Sequence, residues 1–137
     1  MAKYFISFIT TAVVFCLFDF VWLGFVAKNF YANEIGGLLL TQPRMGPAAI
    51  FYCLYVVGII SFAVLPALDA DRWQKALGYG ALLGLIAYAT YDLSNLATLK
   101  GWSVRLTLVD MAWGVVATAS AATAAFWLAR AVSARFN

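Results

Sequence analysis

Long apolar stretches dominate this sequence, and the short segments between them hold most of its charged residues. A helix needs about 20 apolar residues to cross a bilayer core that is roughly 30 Å thick. Four stretches reach that length, at about residues 4–27, 47–68, 73–99 and 106–129, and together they nearly exhaust the chain. We therefore predict an all-α fold, a polytopic membrane protein whose four transmembrane helices form a single bundle, with residues 1–137 as one domain.

The composition supports a lipid environment. Hydrophobic residues make up 65% of the chain and charged residues 11%, whereas soluble domains are nearer half apolar and a quarter charged. The first stretch is longer than the roughly 7–15 apolar residues of a signal peptide, and it carries Asp19 and Trp22, so we expect it to be retained. The lipid bilayer is the first expected partner.

Several function classes are excluded by residues that the chain lacks. It has no histidine, which excludes histidine-ligated haem, zinc and copper and histidine acid–base catalysis. It has no basic stripe or recognition motif for nucleic acid, so no nucleic-acid partner is expected. Cys16 and Cys53 fall at different depths in their spans, so a disulfide between them is not expected. The sequence identifies no cofactor.

Three aspartates lie inside the predicted spans, Asp19, Asp92 and Asp110. An acidic side chain at the middle of a bilayer costs about 2.5–3.5 kcal/mol on insertion scales, so three in one short chain need an explanation. Counting from Lys28 and Lys100 at about 1.5 Å per residue puts the first two roughly 12–14 Å below the same surface. By the same kind of count Asp110 lies roughly 7–8 Å down. All three belong to the half of the bilayer opposite the termini.

Small and aromatic side chains share helical faces with these aspartates. In the third span, one arc of roughly 120° holds both glycines of a GxxxG pattern, Gly80 and Gly84, together with Asp92. Small residues of this kind let two backbones approach closely in lipid. The predicted ligand-binding cluster comprises the acidic, aromatic and amide side chains at comparable depth: Asp19, Trp22, Tyr88, Tyr91, Asp92, Asn95, Asp110 and Trp113.

Three interpretations of this cluster remain open. The side chains could hydrogen-bond to one another and stabilise packing, since Tyr88–Asp92, Asp92–Asn95 and Tyr91–Asn95 are helical neighbours. They could form a pocket for a small molecule, a lipid or a cation, or they could carry out carboxylate catalysis. No catalytic residue is assigned, and the acids do not form a metal motif. Arg44 and Arg105 could extend toward the carboxylates and pair with them.

The pattern Asp-x-x-Trp occurs twice in the cluster, at Asp19–Trp22 and at Asp110–Trp113. The first and fourth spans run in opposite directions, so the repetition could reflect an inverted pairing of these two helices. Two matches of four residues also arise by chance, and the sequence does not choose between these explanations.

The segment 88–102, which reads YATYDLSNLATLKGW, resembles the signature of a small family of bacterial membrane proteins, the domain of unknown function 2177 family. The runs DFVWLG at 19–24, DMAWG at 110–114 and AIFY at 49–52 resemble other motifs of that family, so the resemblance extends from about Phe18 to Gly114. Ser94 stands where the family has threonine, and either hydroxyl fits. The resemblance implies a four-helix protein of the bacterial inner (cytoplasmic) membrane, and it supplies no established activity.

The leading functional prediction is an intramembrane acidic and aromatic pocket that binds or transports a small cationic or lipid ligand. The alternatives are an accessory or structural subunit of a larger membrane complex and a lipid-modifying enzyme, so enzymatic activity stays an open question. A homo-oligomer would also shield the carboxylates from lipid. Loops on the side of the termini hold five basic residues against four on the other side, which favours cytoplasmic termini.

Overall fold

The structure is a computed structural model that describes residues 2–135, and its secondary structure there is entirely helical. The six α-helices are α1 (Ala2–Val21), α2 (Lys28–Ile35), α3 (Met45–Ile59), α4 (Leu65–Asp69), α5 (Trp73–Thr98) and α6 (Val104–Ser133). Wider π-helical segments extend α1 over Trp22–Val26 and join α3 to α4 over Ile60–Val64, and a 3₁₀ turn at Gly36–Leu38 follows α2.

Three helical segments are long and apolar enough to cross a membrane: Tyr4–Val26, Met45–Asp69 and Val104–Ser133. The chain is therefore a multi-pass membrane protein with an all-helical fold, as predicted. Helix α5 has 26 residues, which is about 39 Å of helix, but it is more polar than the other three. The prediction of a fourth span depends on this helix.

Helix α6 lies at the centre of the molecule and packs against α1, α5 and the π-helical segment Ile60–Val64. Its buried side chains are mostly small, since Ala117, Ala121 and Ala125 are completely buried. The core between these helices is filled by large apolar side chains such as Phe15 and Phe126, which are also completely buried. Small residues on the central helix allow its neighbours to approach from several sides.

Helices α5 and α6 are antiparallel and cross in close contact at two glycines. A Cβ atom on Gly84 would lie 2.2 Å from the carbonyl oxygen of Gly114, and a Cβ atom on Gly114 would lie 2.2 Å from the ring of Tyr88. One turn away, a Cβ atom on Gly80 would lie 3.0 Å from the Cα atom of Ala119. The GxxxG pattern of the sequence therefore faces α6, and the ring of Tyr88 fills the space that Gly114 leaves open.

The second span contacts its neighbours unevenly along its length. The segment Ile60–Val64 packs against α5 and α6, whereas α3 packs against α1 and makes little or no backbone contact with α5. Tyr55 and Thr118 still connect α3 to α6 through a hydrogen bond of 2.7 Å between their hydroxyls. Beyond Tyr55, toward the start of α3, a space therefore opens between α3 and α5.

Helix α2 lies against the end of the bundle at which α1 ends and α6 begins. Ile35 packs with Trp102 and Leu106 in a small apolar cluster. Glu34 accepts a hydrogen bond from the hydroxyl of Ser103, and its carboxylate lies 3.8 Å from the guanidinium of Arg105. These contacts hold α2 over the end of the helices that carry the aspartates.

We predict that Gly84→Ala lowers the free energy of unfolding by about 1–3 kcal/mol, the usual cost of overpacking, because the added methyl group meets backbone atoms of α6. Gly78→Ala is the matched control in the same helix, since a Cβ atom there meets nothing within 4 Å. That control should be neutral or slightly stabilising, because alanine favours a helix over glycine. SDS titration in mixed micelles, followed by circular dichroism, measures both. Equal stability of the two variants would contradict the glycine crossing.

Candidate functional site

Asp19 is held by side chains from two other helices. Its carboxylate accepts a hydrogen bond from the hydroxyl of Tyr52 on α3 and another, 3.3 Å long, from the indole Nε1 of Trp113 on α6. Asp19 is 7% exposed, so these two donors replace the water that the carboxylate would otherwise bind. They connect α1, α3 and α6 at one level of the bundle.

Asp110 is held in a similar way from the side of α2. The hydroxyl of Tyr31 donates a hydrogen bond to its carboxylate, and Trp22 Nε1 donates to the Tyr31 hydroxyl over 3.1 Å. Burial and the neighbouring Asp110 raise the pKa of Tyr31 above its usual range, so the phenol keeps the proton that it donates. Asp110 is 8% exposed.

The two Asp-x-x-Trp patterns meet in the structure. The indoles of Trp22 and Trp113 stack with 4.4 Å between ring centroids and 4° between ring planes. Trp113 donates directly to Asp19, and Trp22 reaches Asp110 through the hydroxyl of Tyr31. The two patterns thus meet across the antiparallel helices α1 and α6, and one pair of stacked rings joins both aspartates.

Asp92 differs from the other two aspartates because no tyrosine or tryptophan donates a hydrogen bond to it. It is 0% exposed, and among the described residues the partner within reach of its buried oxygens is the adjoining carboxyl of Asp110, with which it can share a proton. The expected contacts with Tyr88 and Asn95 are therefore wrong, since the helix turns this carboxyl toward α6. There its neighbour is the carboxyl of Asp110. Asn95 hydrogen-bonds to Tyr91, as the spacing of that pair predicts.

A cavity of about 300 Å³ adjoins the carboxyl of Asp110, and it is lined by Phe51, Ala87, Tyr88, Tyr91 and Asp110. It occupies the space between α3 and α5, with α6 behind it. Phe51 and Tyr91 are 48% and 55% exposed, so they form the edges at which the cavity meets the outer surface of the bundle. The walls are aromatic and apolar, and the carboxyl of Asp110 is the acidic group of the lining.

The structure thus divides the predicted cluster into two connected parts. Asp19, Trp22 and Trp113 belong to a hydrogen-bonded group between α1 and α6, whereas Tyr88 and Tyr91 line the cavity. Asp110 takes part in both, because Tyr31 binds its carboxylate and its side chain also lines the cavity. Asp92 adjoins Asp110, and Asn95 reaches the cavity only through Tyr91.

Sequence reasoning missed the two tyrosines that donate hydrogen bonds to the aspartates, Tyr31 and Tyr52. It also missed Phe51, which forms one wall of the cavity. Tyr31 lies in the segment between the first two spans, and a residue count along a transmembrane helix gives no depth for a residue outside the spans. Tyr52 lies five residues after Pro47, hence roughly 7–8 Å into the predicted second span, which is the depth of Asp110. The count therefore gives no reason to pair Tyr52 with Asp19, which it puts roughly 12–14 Å down.

The arginines do not enter the site. Within residues 2–135 the described ion pairs join Arg105 to Glu34 and Arg130 to Asp71, and neither involves an aspartate of the spans. Arg105 lies instead over the ring of Phe30, with 5.5 Å from its guanidinium carbon to the ring centroid. The expected pairing of Arg105 with the carboxylates is wrong because Glu34 of α2 holds it at the surface. Among these residues no three His, Cys, Asp or Glu side chains gather as metal ligands.

Comparison with known families agrees with this architecture. The family model described as a predicted membrane protein, DUF2177, matches residues 4–127, which is most of the chain. The chain belongs to the DUF2177 family. The match covers all three apolar spans, α5 and every residue of the candidate site. No curated protein and no solved structure matches the chain significantly.

We predict that Tyr52→Phe lowers the free energy of unfolding by about 1–3 kcal/mol, because Asp19 then loses a buried donor. Tyr79→Phe is the matched control, since Tyr79 is an exposed tyrosine of α5 with 43% of its surface accessible. SDS titration of both variants and the wild type measures the difference in the free energy of unfolding. If Tyr52→Phe behaved like the control, the hydrogen bond to Asp19 would not contribute to stability.

Proposed function

We propose that this DUF2177 protein is a four-span protein of the bacterial inner membrane that binds a small membrane-soluble ligand at Asp110 and Asp92. The observation that supports binding best is the pair of buried carboxyls, of which Asp92 receives no donor from tyrosine or tryptophan and Asp110 lines the cavity. A ligand in the cavity that donates to Asp110 would add hydrogen bonds to this pair.

The contrast among the three aspartates favours binding over packing. Tyr52 and Trp113 donate to Asp19, and Tyr31 donates to Asp110, so these two contribute to cohesion between helices. Asp92 contributes no such contact. A buried polar group left without a hydrogen bond costs roughly 1–3 kcal/mol. Packing alone does not account for two adjoining carboxyls inside the bundle, whereas a ligand in the cavity that donates hydrogen bonds would stabilise Asp110, the member of the pair that lines it.

The size of the cavity is compatible with a small ligand. Its volume of about 300 Å³ is at the lower end of the range of roughly 300–1,000 Å³ for ligand pockets. Apolar and aromatic walls with a few polar groups are also typical of such pockets. The carboxyl of Asp110 is placed to orient a ligand, and the rings of Tyr88 and Tyr91 would contact its apolar part.

The proposal requires that α5 cross the membrane as the fourth span of the bundle. The helix is long enough, and its glycine face packs on α6. Leu82, Ile86 and Leu93 are 49–55% exposed on the other side, where they would contact lipid. Asp92 faces α6 rather than this side, so the helix keeps its acidic group away from hydrocarbon. An even number of spans would leave both termini in the cytoplasm, which the basic residues of the loops favour.

We predict that the two ends of α5 lie on opposite sides of the membrane. Cysteine would be introduced as Asp69→Cys or Lys100→Cys in a Cys16→Ala/Cys53→Ala background. The outer membrane of intact cells is permeabilised, and a maleimide that cannot cross the inner membrane is added. We expect it to label the cysteine at position 100, whereas the cysteine at position 69 should be labelled only after the cells are lysed. Labelling of both positions under the same condition would show that α5 does not cross.

We predict that native mass spectrometry of the protein, extracted in mild detergent from its own membrane, detects a bound small molecule or lipid. Asp92→Asn should reduce the occupied fraction at least about tenfold, which corresponds to about 1.4 kcal/mol. Asp71→Asn is the control, because Asp71 is an exposed carboxylate that pairs with Arg130 over 3.2 Å at the surface. Such exposed pairs contribute at most about 1 kcal/mol to stability.

Two outcomes of this measurement would count against ligand binding. If the occupied fraction were unchanged in Asp92→Asn, the bound molecule would not depend on the carboxyl pair. A protein subunit at a fixed ratio, with no small molecule retained, would instead favour the accessory-subunit alternative and reduce the aspartates to packing groups.

A further inference from the structure

The proposed site is closed toward water and open toward lipid. On the aqueous side α2 covers it, because Tyr31 binds Asp110 and Ile35 packs against Trp102 and Leu106. Glu34 adds contacts with Ser103 and Arg105, so the cover is held at several points. A ligand that entered from water would have to displace this helix.

Toward the bilayer the cavity has an entrance between α3 and α5. These helices make little or no backbone contact with each other, and the half-exposed side chains of Phe51 and Tyr91 border the gap. The edges of the entrance are aromatic, and the neighbouring surface of α3 is apolar, with Leu54 67% exposed. A molecule dissolved in the leaflet could enter with its chain still in hydrocarbon.

The inner end of the cavity is acidic, and among residues 2–135 no cation is paired with it. Asp110 lines it, and the buried carboxyl of Asp92 adjoins Asp110 without a donor from tyrosine or tryptophan. The arginines that the structure pairs within residues 2–135 are bound to Glu34 and Asp71 instead. Buried carboxylates are stabilised by a cation with good hydrogen-bond geometry. The tyrosine rings beside the pair add faces that attract a cation, each worth roughly 0.5–2 kcal/mol.

We infer that the ligand is an amphiphile with a primary ammonium head group and a single hydrocarbon chain, which enters from the leaflet between α3 and α5. The ammonium group has three N–H donors for the carboxylate of Asp110, and its positive charge would also stabilise the neighbouring carboxyl of Asp92. The chain would leave the cavity past Phe51 and Tyr91 into lipid. This inference rests on the proposed function and specifies the class of its ligand.

A photolabelling competition tests this class. The probe is hexadecylamine with a diazirine in the middle of its chain, added to the full-length protein in phosphatidylcholine nanodiscs. The competitors are hexadecylamine, hexadecanol and palmitic acid, which share one chain and differ in the head group. We expect hexadecylamine to compete at a concentration at least about tenfold lower than the other two, a difference of about 1.4 kcal/mol. The labelled peptides should contain Phe51 or Tyr91.

Two variants connect the labelling to the site. Asp110→Asn should reduce saturable labelling at least about tenfold, whereas the surface control Asp71→Asn should leave it unchanged. Ala87→Phe fills the cavity that Ala87 lines without touching a carboxylate, and it should block labelling even if Asp110→Asn alters the fold. Size-exclusion profiles that match the wild type identify the variants that remain folded.

The possible results separate this inference from the proposed function. Equal competition by hexadecanol or palmitic acid, still dependent on Asp110, would overturn the ammonium class and leave ligand binding in place. Labelling that is not saturable, or that persists in both Asp110→Asn and Ala87→Phe, would overturn the inference. Combined with empty protein in native mass spectrometry, that result would overturn the proposed function as well.

Discussion

The antiparallel crossing of α5 and α6 at Gly84 and Gly114 is the contact on which the rest of the structure depends. With no side chain at either position, the two backbones approach closely and the ring of Tyr88 packs over Gly114. About one helical turn beyond the contact of Tyr88 with Gly114, the antiparallel register brings Asp92 of α5 beside Asp110 of α6. The position of the carboxyl pair is therefore a consequence of two residues that carry no side chain.

Hydrogen bonding in hydrocarbon imposes the second constraint. No water is available to a carboxylate in the bundle, so each one must find its donors inside the protein. Tyrosine and tryptophan meet this need well, because each combines a large apolar surface with one polar group. The two carboxylates that receive such donors, Asp19 and Asp110, connect α1, α2, α3 and α6. Asp92 receives no donor of this kind, and the proposed binding site rests on this difference.

Much of this architecture follows from counting along the chain. The length of the apolar stretches predicts membrane helices, and the rise per residue predicts that the aspartates share one half of the bilayer. The contact of Asp19 with Trp113 agrees with that depth. Counting residues from the membrane surface does not identify the hydrogen-bond donors of the aspartates, because each helix has side chains at the same depth. It also does not reveal α2 as a cover, since Tyr31 and Glu34 lie in a segment without transmembrane periodicity.

The sequence by itself determined that the chain is a helical membrane protein with acidic, aromatic and small residues on the inward faces of its helices. These properties depend on local composition and on the period of a helix, which any sequence displays directly. Only the tertiary structure decided that Tyr52 and Tyr31 satisfy two aspartates, that Glu34 holds Arg105 at the surface, and that a gap between α3 and α5 leaves a cavity beside Asp110. Such contacts depend on how helices cross and tilt, and crossing geometry is set by pairs of side chains that are far apart in the chain.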